Sequence, residues 1–71
     1  MVRQRVVSEC VVGIGYEPAT CVLEVEFSRG GVYQYMDVPP DEYVALCAAA
    51  SKGHRLNAAV IGQYASCRVA P

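Results

Sequence analysis

Residues Tyr33 to Tyr43 read YQYMDVPPDEY, and within this stretch the chain changes its period. On its N-terminal side Tyr33 and Tyr35 flank Gln34, the two-residue repeat of a strand with one face toward a core. On its C-terminal side Tyr43, Leu46, Cys47 and Ala50 fall at i, i+3, i+4 and i+7, the spacing of one helix face. Between them Pro39 and Pro40 cannot donate to a β-ladder. Pro40 suits a first helical turn, and Asp41 and Glu42 complement the positive end of that helix. The switch predicts an α+β domain, strands before the prolines and helices after them.

Upstream, CVVGIGY and CVLEVEF flank Glu17-Pro18-Ala19-Thr20, where the proline fits the first corner of a turn. A four-residue loop here pairs Tyr16 with Cys21, Ile14 with Leu23, Val12 with Val25 and Cys10 with Phe27. Those eight side chains then share the core face, with Glu24 and Glu26 on a solvated outer face. In the next turn, a three-residue loop Ser28-Arg29-Gly30 with Gly30 in the left-handed region brings Tyr33 and Tyr35 onto the face of Phe27 and leaves Gln34 to solvent. Phe27 becomes the central side chain of the core in this register.

Downstream, alanines 48 to 50 allow close packing and Gly53 interrupts the helical period. Ser51 fits the N-cap of a second helix whose apolar face is Leu56, Ala59 and Val60, and Gly62 stops it. YASCRVA alternates weakly and fits a returning edge strand. The expected architecture is a three-stranded antiparallel meander, with room for a short fourth edge strand, and two C-terminal helices packed on one face.

The chain of 71 residues is one domain, 1–71, with a hydrophobic share of 54% and a charged share of 18%, which excludes a disordered tail. No apolar run approaches the roughly 20 residues that span a bilayer, and MVRQRVV is not a secretory signal, so the expected compartment is the cytoplasm. Cys10, Cys21, Cys47 and Cys67 stand singly, without a C-x-x-C pair and with one histidine in the chain. They read as reduced thiols, the first three of them buried, and no metal or cofactor is expected. In the register above, Cys10 and Cys21 lie about 20 Å apart along the ladder, too far for a disulfide.

Net charge is −1, but its distribution is uneven. All seven acids lie between Glu9 and Glu42, whereas residues 43 to 71 carry Lys52, Arg55, Arg68 and His54 and no acid. If the chain ends meet, Arg3 and Arg5 extend that basic surface. The candidate anion site is Ser51, Lys52, Gly53, Arg55 and Asn57, joined by Arg68. A helix start offers free N–H groups, Gly53 admits a close backbone approach, and the bases reach a phosphate. Against it stands the plainer reading of SKGHRLN as a capped connection with solvated bases, since no phosphate-binding glycine loop is present. The five tyrosines read as core bulk with hydroxyls at the rim. His54 reads as a surface residue, and no constellation of catalytic groups is present, so no enzyme is expected.

In order along the chain stand Ile14-Gly15-Tyr16 and Pro18, then Leu23, Val25 and Phe27, then Gly30, Tyr33, Tyr35, Val38 and Pro39. Tyr43, Leu46, Ser51, Gly53, Asn57, Ile61 and Tyr64 follow. This pattern resembles the KTSC domain family, named from the C-terminal domain of some lysyl-tRNA synthetases and also found as small stand-alone bacterial proteins. The resemblance implies a fold and no reaction. Two departures are Glu17, where the family commonly has aspartate, and Arg55-Leu56, where it usually has an aromatic pair. The charge distribution and the outer sheet face leave two partner classes: RNA, including tRNA, or another polyanion at the acid-free C-terminal half, or a protein on the outer sheet face beside Val22, Val32 and Met36.

Overall fold

A computed structural model describes residues 3–5 and 10–71. In chain order the elements are β1 (Gln4–Arg5), β2 (Val11–Glu17), β3 (Val22–Phe27), β4 (Val32–Tyr35), α1 (Pro40–Ala48), α2 (Lys52–Ala59) and β5 (Ser66–Ala70). The strands form one antiparallel sheet in the order β1-β2-β3-β4-β5. The α+β architecture stands as expected, with β5 as the edge strand. A further short strand, β1, precedes the meander on the opposite edge.

The turn at Ser28-Arg29-Gly30 takes the expected form. Phe27 N donates to Gly31 O at 3.1 Å, Gly30 has φ 104°, and Tyr33 and Tyr35 pair with Val25 and Leu23. The first hairpin departs from the expected register. Tyr16 pairs with Leu23 and Ile14 with Val25, two residues from the expected partners. Glu17 stays in the ladder opposite Val22, and Pro18 to Cys21 make the turn, with Cys21 at φ 57°. A shift of two keeps each side chain on its face, because strand faces alternate with period two. A bulge at Val12 then turns Val11, not Val12, onto the core side opposite Phe27.

The core comprises Val11, Ile14, Leu23, Val25, Tyr35, Val38, Leu46, Leu56 and Val60. Phe27 is not its centre. It is half-buried at the margin, with Tyr16, Tyr33, Tyr43 and Tyr64 also packed against the core. The thiol expectation is also corrected: Cys10 and Cys47 are exposed and Cys21 is half-buried. Cys10 precedes the bulge and loses the core position that an unbroken ladder would give it. Helix α1 ends at Ala48, so Ala50 lies outside its stripe and is exposed.

The outer sheet face is not the plain solvated surface that its glutamates suggest. Glu24 is 5% exposed, accepts a hydrogen bond from Gln34 Nε2 at 2.9 Å, and pairs with Arg3 Nη1 at 2.5 Å. Arg3 Nε reaches Glu26 at 3.3 Å. Arg3 can cross β2 because Gly13 and Gly15, opposite Glu26 and Glu24, place no side chain in its path. Gln34, expected in solvent, is half-buried by this network.

Candidate functional site

The SKGHRLN connection is well capped. Ser51 Oγ accepts from His54 N at 3.2 Å, which satisfies one of the free N–H groups at the start of α2. Lys52 Nζ donates to Cys47 O at 3.0 Å and to Ala49 O at 2.7 Å, so its ammonium sits on the carbonyl end of α1. This is the favourable end of the helix dipole for a cation. Arg55 Nη2 bonds Glu42 Oε2 at 2.5 Å and ties the two helices together, while its Nε is buried without a hydrogen-bond partner. Asn57 is exposed on α2.

Gly53 is buried, and a Cβ there would lie 3.3 Å from Cys10 Cβ. That contact fixes which end of the sheet the start of α2 meets. Cys10 O accepts from Ser28 N at 2.8 Å, which places the loop carrying Arg29 at the same end. Arg68 on β5 arrives there too: it pairs in register with Tyr33, and its Nε lies 3.4 Å from where a Cβ on Gly31 would stand. Arg29, Lys52 and Arg68 thus gather around one end of the domain, with His54 exposed beside Gly53. The acids Glu17, Asp37, Asp41 and Glu42 belong to the other end. Val38 N donates to Cys21 O at 2.9 Å there, and α1 begins.

The predicted residues therefore divide. Ser51, Lys52, Gly53 and Arg68 come to the basic end, whereas Arg55 is turned to Glu42 toward the acidic one. Arg29 joins them, and its position was readable from the predicted loop that carries it. Arg3 does not, since its charge is paired on the outer face, and β1 and β5 lie on opposite edges of the sheet. An open recess of about 400 Å³ beside β5 is lined by Arg68, Val69, Ala70 and Pro71. A second, of about 260 Å³, is lined at the acidic end by Pro39, Asp41, Glu42, Arg55 and Tyr64. Among the described residues no group of three or more His, Cys, Asp or Glu side chains is placed to hold a metal ion, and no helix is long and apolar enough to cross a membrane.

Residues 8–64 match the family model of the KTSC domain. The chain belongs to the KTSC domain family. A crystal structure of a KTSC domain protein from Yersinia pestis superimposes with a TM-score of 0.94 at 32% identity, covering 96% of each chain. An uncharacterised protein from Stutzerimonas stutzeri is 42% identical over 57 residues, 80% of either chain. A lysine–tRNA ligase from Nostoc punctiforme is 41% identical over 49 residues, which are 69% of this chain and only 9% of the ligase. In this KTSC domain the two departures from the family pattern have local explanations. Leu56 fills the core at 0% exposure and Arg55 forms the ion pair to Glu42. Glu17 accepts from Ala19 N at 3.1 Å and so steadies the first turn.

Proposed function

We propose that this KTSC domain is a small accessory module that contacts RNA through its basic end. Arg29, Lys52 and Arg68 supply the charge, and Ser51 and Gly53 shape the corner. The observation that carries this reading is the separation of charge along the molecule. The domain measures 27 × 26 × 23 Å, and the screening length at physiological salt is about 8 Å. A polyanion at the basic end is therefore little affected by the acids at the other, and Glu26, which stands beside Phe27 on the outer face, is paired with Arg3. Occurrence of a similar segment within a lysine–tRNA ligase is consistent with a role beside RNA. The protein-partner alternative is weaker, because Arg3, Glu24, Glu26 and Gln34 already bond to one another across the outer face.

The test is a titration with a short single-stranded RNA at several salt concentrations. Each contact to a single strand contributes about 0.7 to the slope of log affinity against log salt, so three cations give a slope of about 2. Arg29→Ala with Arg68→Ala should lower it to about 0.7. Arg55→Ala, paired to Glu42, should leave the slope unchanged. Undetectable binding at low salt, or a slope that responds to Arg55→Ala and not to the double variant, would refute the reading. Lys52→Ala is a poor probe, because it also uncaps α1.

A further inference from the structure

The basic end carries more than charge. Tyr33 is half-buried there at the margin of the core, with Phe27 against it at 5.7 Å between ring centroids and 77° between planes. Over the Tyr33 ring lies the guanidinium of Arg68, its Cζ 6.0 Å from the centroid. That distance is within cation–π range, so the guanidinium already covers the ring. A flat ring seated between the two needs about 7 Å from plane to plane, twice the ordinary contact distance, so Arg68 must lift off to admit one. Arg68 is exposed and belongs to an edge strand, which leaves its side chain free to swing away and close over the far face of a base. Gly31 contributes as well. A Cβ there would stand 3.0 Å from Tyr33 Cε1, so only glycine lets the tyrosine lie across this turn.

We infer that Tyr33 and Arg68 form a nucleobase slot, which makes unpaired nucleotides the substrate class of the basic end. This rests on the RNA reading above. Bases present π-faces only when they are out of a duplex, and aromatic rings and guanidinium planes are the groups that stack on them. The slot adds a sequence-tolerant contact to the charge that Arg29, Lys52 and Arg68 supply. Duplex RNA, with its bases stacked inside, offers the cations a backbone and the slot nothing.

The experiment compares a single-stranded oligoribonucleotide, a duplex of the same length and dextran sulfate, a polyanion without bases, on the parent, Tyr33→Leu and Tyr33→Phe. For the single strand, Tyr33→Leu should lose about fivefold or more in affinity, the contribution of one stacked base, at an unchanged salt slope. Tyr33→Phe should bind as the parent does, and neither variant should alter binding of duplex or dextran sulfate. The Phe27 and Tyr33 ring resonances of the parent should shift with the single strand alone. Should Tyr33→Leu fail to fold, those resonances and the preference for single strand over duplex decide the matter. Equal affinity of the parent for single strand and duplex, or full affinity in folded Tyr33→Leu, overturns the slot and leaves charge-driven binding intact. Absence of any RNA binding by the parent overturns both.

Discussion

Tyr16 holds the end of β2 against the segment that leads into α1. Its hydroxyl donates to Val38 O at 2.6 Å, and its ring stacks on Tyr43 at 4.7 Å with 9° between the planes. Burial, and then the hydrogen bond with the Cys21 thiol, push its phenol up to about 12. A raised acid of this kind stabilises the fold fully below its ordinary value of 10, and the contribution is lost as pH rises through 12. Alkaline unfolding should therefore coincide with the last tyrosine to ionise. Tyr16→Phe should lower the melting temperature at neutral pH and flatten the loss of stability at high pH, as followed by phenolate absorbance and circular dichroism. An unchanged alkaline limb would separate Tyr16 from that transition. Gly53 makes an equally local argument. With Cys10 Cβ 3.3 Å from a Cβ at this position, Gly53→Leu must displace the start of β2 or of α2. The expected cost is about 1–3 kcal/mol in denaturant unfolding.

Two residues of strand are little to hold β1, and side chains anchor it. Arg3 spans the glycine lane of β2 to reach Glu24 and Glu26 on β3. Burial alone raises the Glu24 carboxyl, but the hydrogen bonds from Gln34 and Arg3 outweigh it and leave the group below its ordinary 4.5. A lowered acid contributes stability above its ordinary value and loses it as pH falls through the folded one. The expected outcome is that the β1–β2 amides lose hydrogen-exchange protection on acidification below that range, before the central strands do. Glu24→Gln should remove this early acid step and weaken β1 at neutral pH. Little of this was legible in the chain. Alternation predicted the faces of Glu24 and Glu26, but a glutamate facing solvent and one paired under an arginine share one pattern. The helices were more readable, since Pro40, Ser51 and Gly62 mark their ends by local capping chemistry. The first hairpin lies two residues from the register that its sequence suggests because Cys21, a residue that rarely takes positive φ, occupies the left-handed turn position. The bulge at Val12 has no marker of its own in the sequence. For the candidate site, the corner and its cap were visible, whereas the diversion of Arg55 to Glu42 depends on how α1 and α2 pack.

For the molecule as a whole, the packing decides which side chain the fold can least afford to lose. The sequence makes Phe27 the natural choice, as the largest apolar residue in a chain with no tryptophan. The structure moves the centre of mass of the core to the layer between sheet and helices. Leu23 and Val25 on β3, Leu46 on α1 and Leu56 on α2 all have 0% exposure there. Removing Leu46 opens a cavity enclosed on every side, and buried leucine-to-alanine changes cost about 2–5 kcal/mol. Total stability of a domain this small lies near the lower end of about 5–15 kcal/mol. Leu46→Ala should therefore bring the protein close to its unfolding threshold at room temperature. Phe27→Ala removes more atoms, but from the margin, where water and the loop at Ser28 can close over the gap. Its cost should fall below that of Leu46→Ala, leaving a cooperative melt. Denaturant titration of the two variants measures the order directly. If Phe27→Ala proves the more damaging, Phe27 and Tyr33 act as a second structural centre at the basic end. Tyr33, proposed to receive a base, would then be needed first to hold β3 to β4.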